Sequence, residues 1–267
     1  MSTRRNTVAL VLRAGVRDLT RSRWLVIYTV GFWAVTEALF LFGGTGEQVV
    51  LSLLNVMLLL VPLVALVFGT AHVHASREFT ELLLAQPLSR RAIFLGLYLG
   101  MALPLTAAFV VGIGVPLLLH GTTGAAPRLA LVFLAGTGAL LTLTFAAIAM
   151  FIALGGNDRL RAMARALAIW FAFTVAYDGA VLAAVSLFGD WPLERPMLAL
   201  MLGNPVDLAR LLVLTSLDAS ALLGYTGALF RRIFGTALGP AIAIVALSLW
   251  TLAPVLLARR RFLRRDF

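Results

Sequence analysis

The chain has 267 residues and contains neither cysteine nor lysine. Without cysteine there is no thiol nucleophile, no thioether-attached haem and no cysteine-ligated iron–sulfur cluster. Without lysine there is no phosphate-gripping residue for a G-x-x-x-x-G-K-[ST] loop and no amine for a Schiff base. If ATP drives this protein, another polypeptide hydrolyses it. Also missing are a G-x-S-x-G elbow, an H-E-x-x-H helix and a pair of neighbouring catalytic carboxylates. Charged residues amount to only 13%, against 61% apolar ones, a share that soluble domains at about 45–50% do not reach.

What is present is length in apolar runs. A bilayer core of about 30 Å needs roughly 20 apolar residues per helix. Six such runs stand out, at about 24–42, 49–71, 93–119, 128–154, 166–189 and 236–258. Barrel strands would be shorter and alternating, and no alternation is present. The fold class is therefore an all-α polytopic membrane protein with six transmembrane helices. The first run is too long for a signal-peptide core and has no small-x-small cleavage site after it, so it reads as a retained span.

The net charge of +10 would also suit a nucleic-acid surface, and its distribution decides. Six arginines precede the first span. Arg77, Arg90 and Arg91 separate spans two and three, Arg159, Arg161 and Arg165 separate four and five, and five more follow the last. These segments all fall on one side of a six-span chain and hold seventeen of the 22 arginines. Basic residues accumulate on the cytoplasmic side, so both termini are expected there, in a bacterial inner membrane. Topology and contact with the lipid bilayer explain the charge; no nucleic acid is needed.

Three further segments organise the chain. Residues 1–23 hold an amphipathic helix over 7–23, with Val8, Leu12, Val16 and Leu19 on one face and Arg13, Arg17 and Arg21 on the other. It is expected to lie along the inner membrane surface, apolar face down. An outer segment, 190–235, is long but too charged to span. Two short helices fit it, near 206–215 and 217–230, dipping into or lying on the outer leaflet, with Asn204 before Pro205 as the cap. A basic cytoplasmic tail, 259–267, ends the chain. "GLYLG" (Gly96 to Gly100) is a small-xxx-small match, common in membrane helices.

The remaining segment, "SREFTELLLAQPLSRR", interrupts two apolar runs with a compact charged pattern. It reads as a short helix over 76–87, with Ser76 as N-cap and Pro87 as its end. Arg77, Glu78 and Glu81 share one face, with Phe79, Leu82 and Leu83 opposite. Ser89 starts the next helix, with Arg90 and Arg91 at the membrane boundary. From pattern alone, a helix that grips a partner and an ordinary interfacial helix fit equally.

Here the chain resembles the ABC-2 type transporter permeases. Their cytoplasmic segment after span two reads roughly E-R-E-x-G-T-L-x-L-L-L-x-x-P-[VL]-S-R. Arg77, Glu78, Thr80, Leu82, Leu83, Leu84, Pro87, Ser89 and Arg90 match it, and Phe79 replaces the usual Gly. The resemblance implies a subunit that is not itself catalytic. It would be gripped by two copies of a separate cytoplasmic ABC ATPase, which carry the ATP and Mg, with no cofactor or metal in this chain. Arg77, Glu78, Phe79, Glu81, Leu82, Leu83, Gln86, Pro87 and Arg90 would form the coupling surface. Six helices enclose a route poorly, so a second copy of the chain is expected. "NPVDLARL" further resembles the permeases of nitrous-oxide reductase maturation transporters, through Asn204, Pro205, Asp207, Arg210 and Leu211. That narrower resemblance implies a periplasmic accessory protein and export of a small sulfur species for copper–sulfur cofactor assembly.

Inside the spans, Glu37 and Asp178 are the costly residues, since intramembrane carboxylates face a cavity or a partner. They either line a pathway with Thr36, Thr174 and Tyr177, or lock helices, Asp178 pairing with Tyr177 or an arginine. His72 and His74 form an H-x-H that chelates copper or zinc only if extended. His120 lies across the membrane, so all three read as interfacial polar residues. Two other function classes remain: an intramembrane enzyme using Asp178 and Glu37 as acid and base, and a non-transporting anchor for an ATPase.

Overall fold

A computed structural model describes residues 2–42, 46–120, 128–187, 199–217 and 224–265. Every described element is helical: α1 (Ser2–Thr20), α2 (Arg23–Phe42), α3 (Gly46–Ala75), α4 (Arg77–Leu84), α5 (Arg90–His120), α6 (Arg128–Ala153) and α7 (Arg159–Phe171). A π-helical turn, Ala172–Ala176, leads into α8 (Tyr177–Leu187); α9 (Pro205–Ser216) and α10 (Gly224–Arg264) follow. Six helical runs are long and apolar enough to cross a membrane: α2, α3, α5, α6, α7 through α8, and α10 from Gly239. They overlap each of the six runs expected from sequence, though the fifth begins seven residues earlier than the pattern suggested, at Arg159. Asp158 explains that start, because its carboxylate accepts from the Leu160 and Arg161 amides at 2.9 and 3.2 Å and so caps two open donors.

α3 and α6 form the centre of the bundle, and α7–α8 is the least covered span, with no buried residue in its most apolar stretch. Two apolar clusters fill the interior. One joins α3 and α6 to α9, through Val50, Leu53, Met57, Leu134, Leu208 and Leu212. The other joins α5, α6 and α10 to α1, through Leu19, Phe94, Met101, Met150 and Phe262.

Three sequence expectations are corrected here. The apolar face of α1 is not left for lipid but packs on α5, and glycines allow it. A Cβ placed on Gly15 would sit 3.1 Å from the Gly100 Cα, and one on Gly96 would sit 2.5 Å from the Val11 Cβ. The Gly96/Gly100 pair therefore receives the N-terminal helix rather than another span. Replacing Gly100 by Leu should lift α1 from α5 at a cost of about 1–3 kcal/mol, the range for overpacking. A lower thermal midpoint of the variant in nanodiscs would report it.

The second correction concerns 217–230. Residues 218–223, like 190–198, lie outside the described residues, but from Gly224 the chain is already the start of α10, which runs unbroken to Arg264. The anticipated second short helix is thus at least partly the outer end of the last one. The third concerns the tail. Residues 259–264 are the last turns of α10, held down by Arg261 donating to the Phe151 carbonyl at 3.0 Å and Arg265 donating to that of Leu154 at 3.2 Å.

Candidate coupling helix and intramembrane polar site

α4 hangs between spans two and three with almost no break from α3. Ser76 was expected to cap it, yet the Ser76 hydroxyl makes no cap bond. It donates backward to the His72 carbonyl at 2.8 Å, the competing local bond open to serine at the end of a helix. Ser76 also takes the Thr80 hydroxyl on its own carbonyl at 2.8 Å, which closes the first turn of α4. The far end agrees with the sequence: helix geometry stops at Leu84, before Pro87, and the Ser89 hydroxyl accepts from the Ala92 amide at 3.3 Å to begin α5.

The two faces of α4 have different fates. Thr80 is buried, and Leu83 and Leu84 pack against the second apolar cluster. Leu83, grouped from sequence with the gripping residues, instead anchors the helix. Phe79 and Leu82 remain 42% and 67% exposed, one turn apart, and Glu78, Glu81, Gln86 and Pro87 are exposed around them. Arg77 pairs with Glu81 at 2.9 Å on the helix surface, a pair that contributes about 0.3–0.5 kcal/mol. Arg90 is turned aside, donating to the Arg265 carbonyl at 3.1 Å. α4 therefore carries an exposed apolar pair flanked by carboxylates on one side and a packed face on the other.

The polar residues within the bundle separate into two sites. In the first, Glu37 of α2 meets His120 at the end of α5, Oε1 to Nε2 at 2.7 Å, and Phe40 stacks on the imidazole at 5.4 Å. This pair clamps the ends of spans one and three. Thr36 bonds back to its own helix, its hydroxyl donating to the Phe32 carbonyl.

The second site is built on the π turn. Widening the helix to i→i+5 bonds leaves a carbonyl available to other donors, and the Phe173 carbonyl takes one from Asn204 Nδ2 at 3.0 Å. Asn204 Oδ1 accepts from the Val206 amide at 2.9 Å, capping α9, and its Nδ2 also donates to Asp207 Oδ2 at 3.1 Å. Pro205 at the first position of the helix gives up no bond there. Arg210, one turn further, reaches Asp207 at 3.3 Å and Asp178 at 3.0 Å. The Tyr177 hydroxyl donates to the Leu200 carbonyl at 2.5 Å, the Trp250 indole donates to that of Leu202 at 2.9 Å, and the Thr174 hydroxyl donates to that of Trp170 at 2.7 Å. The outer-segment motif and the intramembrane carboxylate, far apart in sequence, are one site.

This site sits deeper than the sequence suggested. α9 is buried at Val206, Leu208, Ala209 and Leu211 to Leu214, wrapped by α3, α6 and α10. It re-enters the bundle instead of lying on the leaflet, which is tolerated because its non-helical backbone is covered by protein.

Glu37 is thus bonded to His120, and Asp178 shares Arg210 with Asp207; among the described residues no hydrogen bond or ion pair joins Glu37 to Asp178. His72 and His74 lie on helix α3, not on an extended segment; His74 Nδ1 bonds the Thr70 carbonyl at 2.9 Å, and His72 Nε2 is 3.4 Å from the Ser76 hydroxyl. A helix turns two-apart side chains away from each other, so the chelating geometry is absent. Sequence reasoning missed the Glu37–His120 pair because depth, not spacing, brings those two residues together.

Comparison with known proteins gives a consistent picture. Residues 9–267 match the family model described as ABC-2 family transporter protein. A "Probable ABC transporter permease protein NosY" of Pseudomonas aeruginosa is 28% identical over 96% of this chain and 97% of its own length. A protein of the same description from Stutzerimonas stutzeri is 27% identical over 80% of this chain and 84% of its own.

Proposed function

Since the chain belongs to the ABC-2 transporter family, as a multi-pass permease subunit partnered by an ABC ATPase, we propose that it is half of an exporter driven through α4. Two separate ATPase chains, holding ATP and Mg, seat on the α4 helices of two permease copies in the bacterial inner membrane. Their closure pushes on α4, and because α4 is fixed to α3 and α5 the push becomes a tilt of spans two and three. Phe79 and Leu82 fill an apolar cleft on the ATPase, and the flanking carboxylates set the register.

The observation that carries this reading is the split of α4 into a buried anchoring face and an exposed apolar pair. The pathway reading rests on Asp178, which is 43% exposed although it lies on a span. A half-open ion pair facing lipid is costly; a second copy against α7–α8 would cover it and make Asp178, Tyr177, Thr174 and Arg210 pathway lining. Glu37, clamped by His120, is then a structural residue at the pathway's edge.

The resemblance carried by Asn204, Pro205, Asp207 and Arg210 implies as cargo a small sulfur species for copper–sulfur cofactor assembly of nitrous-oxide reductase. A periplasmic accessory protein would receive it near the outer segment. The permease is to be co-expressed with a candidate ABC ATPase from the same organism and reconstituted in nanodiscs. A stable two-plus-two complex whose ATP hydrolysis depends on the permease is expected; a permease that performs its cellular task with no ATPase present would overturn the reading. For the cargo, deletion of the gene should leave reductase polypeptide that lacks its copper–sulfur centre, and a fully loaded reductase in the deletion strain would rule that cargo out.

A further inference from the structure

An open cleft of about 550 Å³ lies between the turn after α6 and the arginine-rich end of α10. We propose that this cleft binds the phosphate of an anionic phospholipid headgroup.

The cleft concentrates cations. A Cβ built on Gly155 would meet Arg261 Nη1 at 2.8 Å and Arg165 Nη1 at 3.2 Å, so the two guanidinium nitrogens lie within the sum of those distances of each other. Arg165 Nη2 also comes within 3.4 Å of such an atom on Gly156. Arg265 joins them, donating to the Leu154 carbonyl and reaching Asn157 Oδ1. Arg260 and Arg264, one turn apart and exposed, close the rim. Among the described residues, Asp158 pairs with Arg161 at 3.0 Å and Glu81 with Arg77 at 2.9 Å.

The absence of a Cβ at Gly155 lets two guanidinium groups close on the turn, and guanidinium forks match phosphate oxygens in geometry. The floor distinguishes a lipid from a free anion. Phe151, Leu154 and Leu257 line the cleft, and Leu256 and Leu257 stay half-exposed along the span, so an apolar track leads from the cations toward the bilayer interior. Basic pockets between spans at a membrane surface take anionic headgroups in this manner. A bound headgroup would tie the inner ends of spans four, five and six together.

The test uses the full chain in phosphatidylcholine nanodiscs titrated with phosphatidylglycerol, read by native mass spectrometry and by thermal shift. Phosphatidylglycerol should be retained and should raise the midpoint, and phosphatidylcholine should do neither. A surface arginine raises affinity for an anionic headgroup roughly fivefold, so Arg260→Gln with Arg264→Gln should weaken retention about thirtyfold. The double variant's midpoint in phosphatidylcholine alone should equal the wild type, which establishes that it folds. Arg91→Gln, an exposed arginine outside the cleft, should change nothing. The proposal is overturned by equal retention in the double variant, by an equal loss in Arg91→Gln, or by inorganic phosphate alone reproducing the stabilisation.

Discussion

Aspartate at both Phe79 and Leu82 is expected to release the ATPase from the permease while the bundle stays folded. The two side chains are the large apolar groups that α4 exposes, and buried aromatic or aliphatic anchors at an interface centre commonly contribute about 2–4 kcal/mol each when truncated. Aspartate adds the penalty of an unpaired charge in an apolar cleft. Even at the low end the pair weakens association by roughly a thousandfold, since about 1.4 kcal/mol is a factor of ten. Because both residues face outward, the thermal midpoint of the permease alone should hardly move. Leu83→Asp supplies the contrast: Leu83 packs inward, so this change should lower the midpoint first and association only as a consequence. Detergent-solubilised pull-down with a tagged ATPase separates the two. A doubly substituted permease that still carries its ATPase through gel filtration would show that force enters elsewhere. Glu78→Arg is a milder probe, better than Glu81→Arg because Glu81 is already held by Arg77.

Much of the architecture was legible because bilayer physics writes itself into composition. Twenty-residue apolar runs leave little choice of element, and the arginine asymmetry orders the loops. α4 was legible because a polar interruption between two spans has to fold locally, and Asn204 because an Asn-Pro step before an amphipathic run is a cap with a mechanism. The failures share another cause. Ser76, the covering of α1, the inward turn of Leu83 and the depth of α9 are each decided by what lies across from the residue, and periodicity reports only that a face is apolar. Whether that face meets lipid, a partner or another helix depends on tertiary packing. Gly96 and Gly100 illustrate the point: the spacing announced a close approach, but not that α1 would be the element approaching. Likewise the sequence offered Asp178 an arginine without saying which, and Arg210 is supplied by a segment that reads as an outer loop.

Asn204 is the residue whose loss should damage the intramembrane site most. Its side chain is fully buried and performs three tasks: it accepts from the Val206 amide, donates to the Phe173 carbonyl of the π turn and donates to Asp207. A cap is worth about 0.5–2 kcal/mol, and a polar contact between membrane helices averages about 0.6 kcal/mol. A carbonyl left unsatisfied inside the bundle costs about 1–3 kcal/mol more. Asn204→Ala should therefore destabilise by roughly 2–4 kcal/mol, allowing for incomplete additivity. The ranking of substitutes is the sharper result. At an ordinary N-cap, aspartate and serine replace asparagine almost equally well. Here aspartate keeps the cap but removes the donor to Phe173 and sets a second carboxylate against Asp207, so Asn204→Asp should be worse than Asn204→Ser and close to alanine. Thermal midpoints of the three variants in nanodiscs, with permease-dependent ATP hydrolysis measured beside them, decide the matter. If aspartate and serine behaved alike, Asn204 would be an N-cap and nothing more, and α9 would not be fastened to the π turn that positions Asp178.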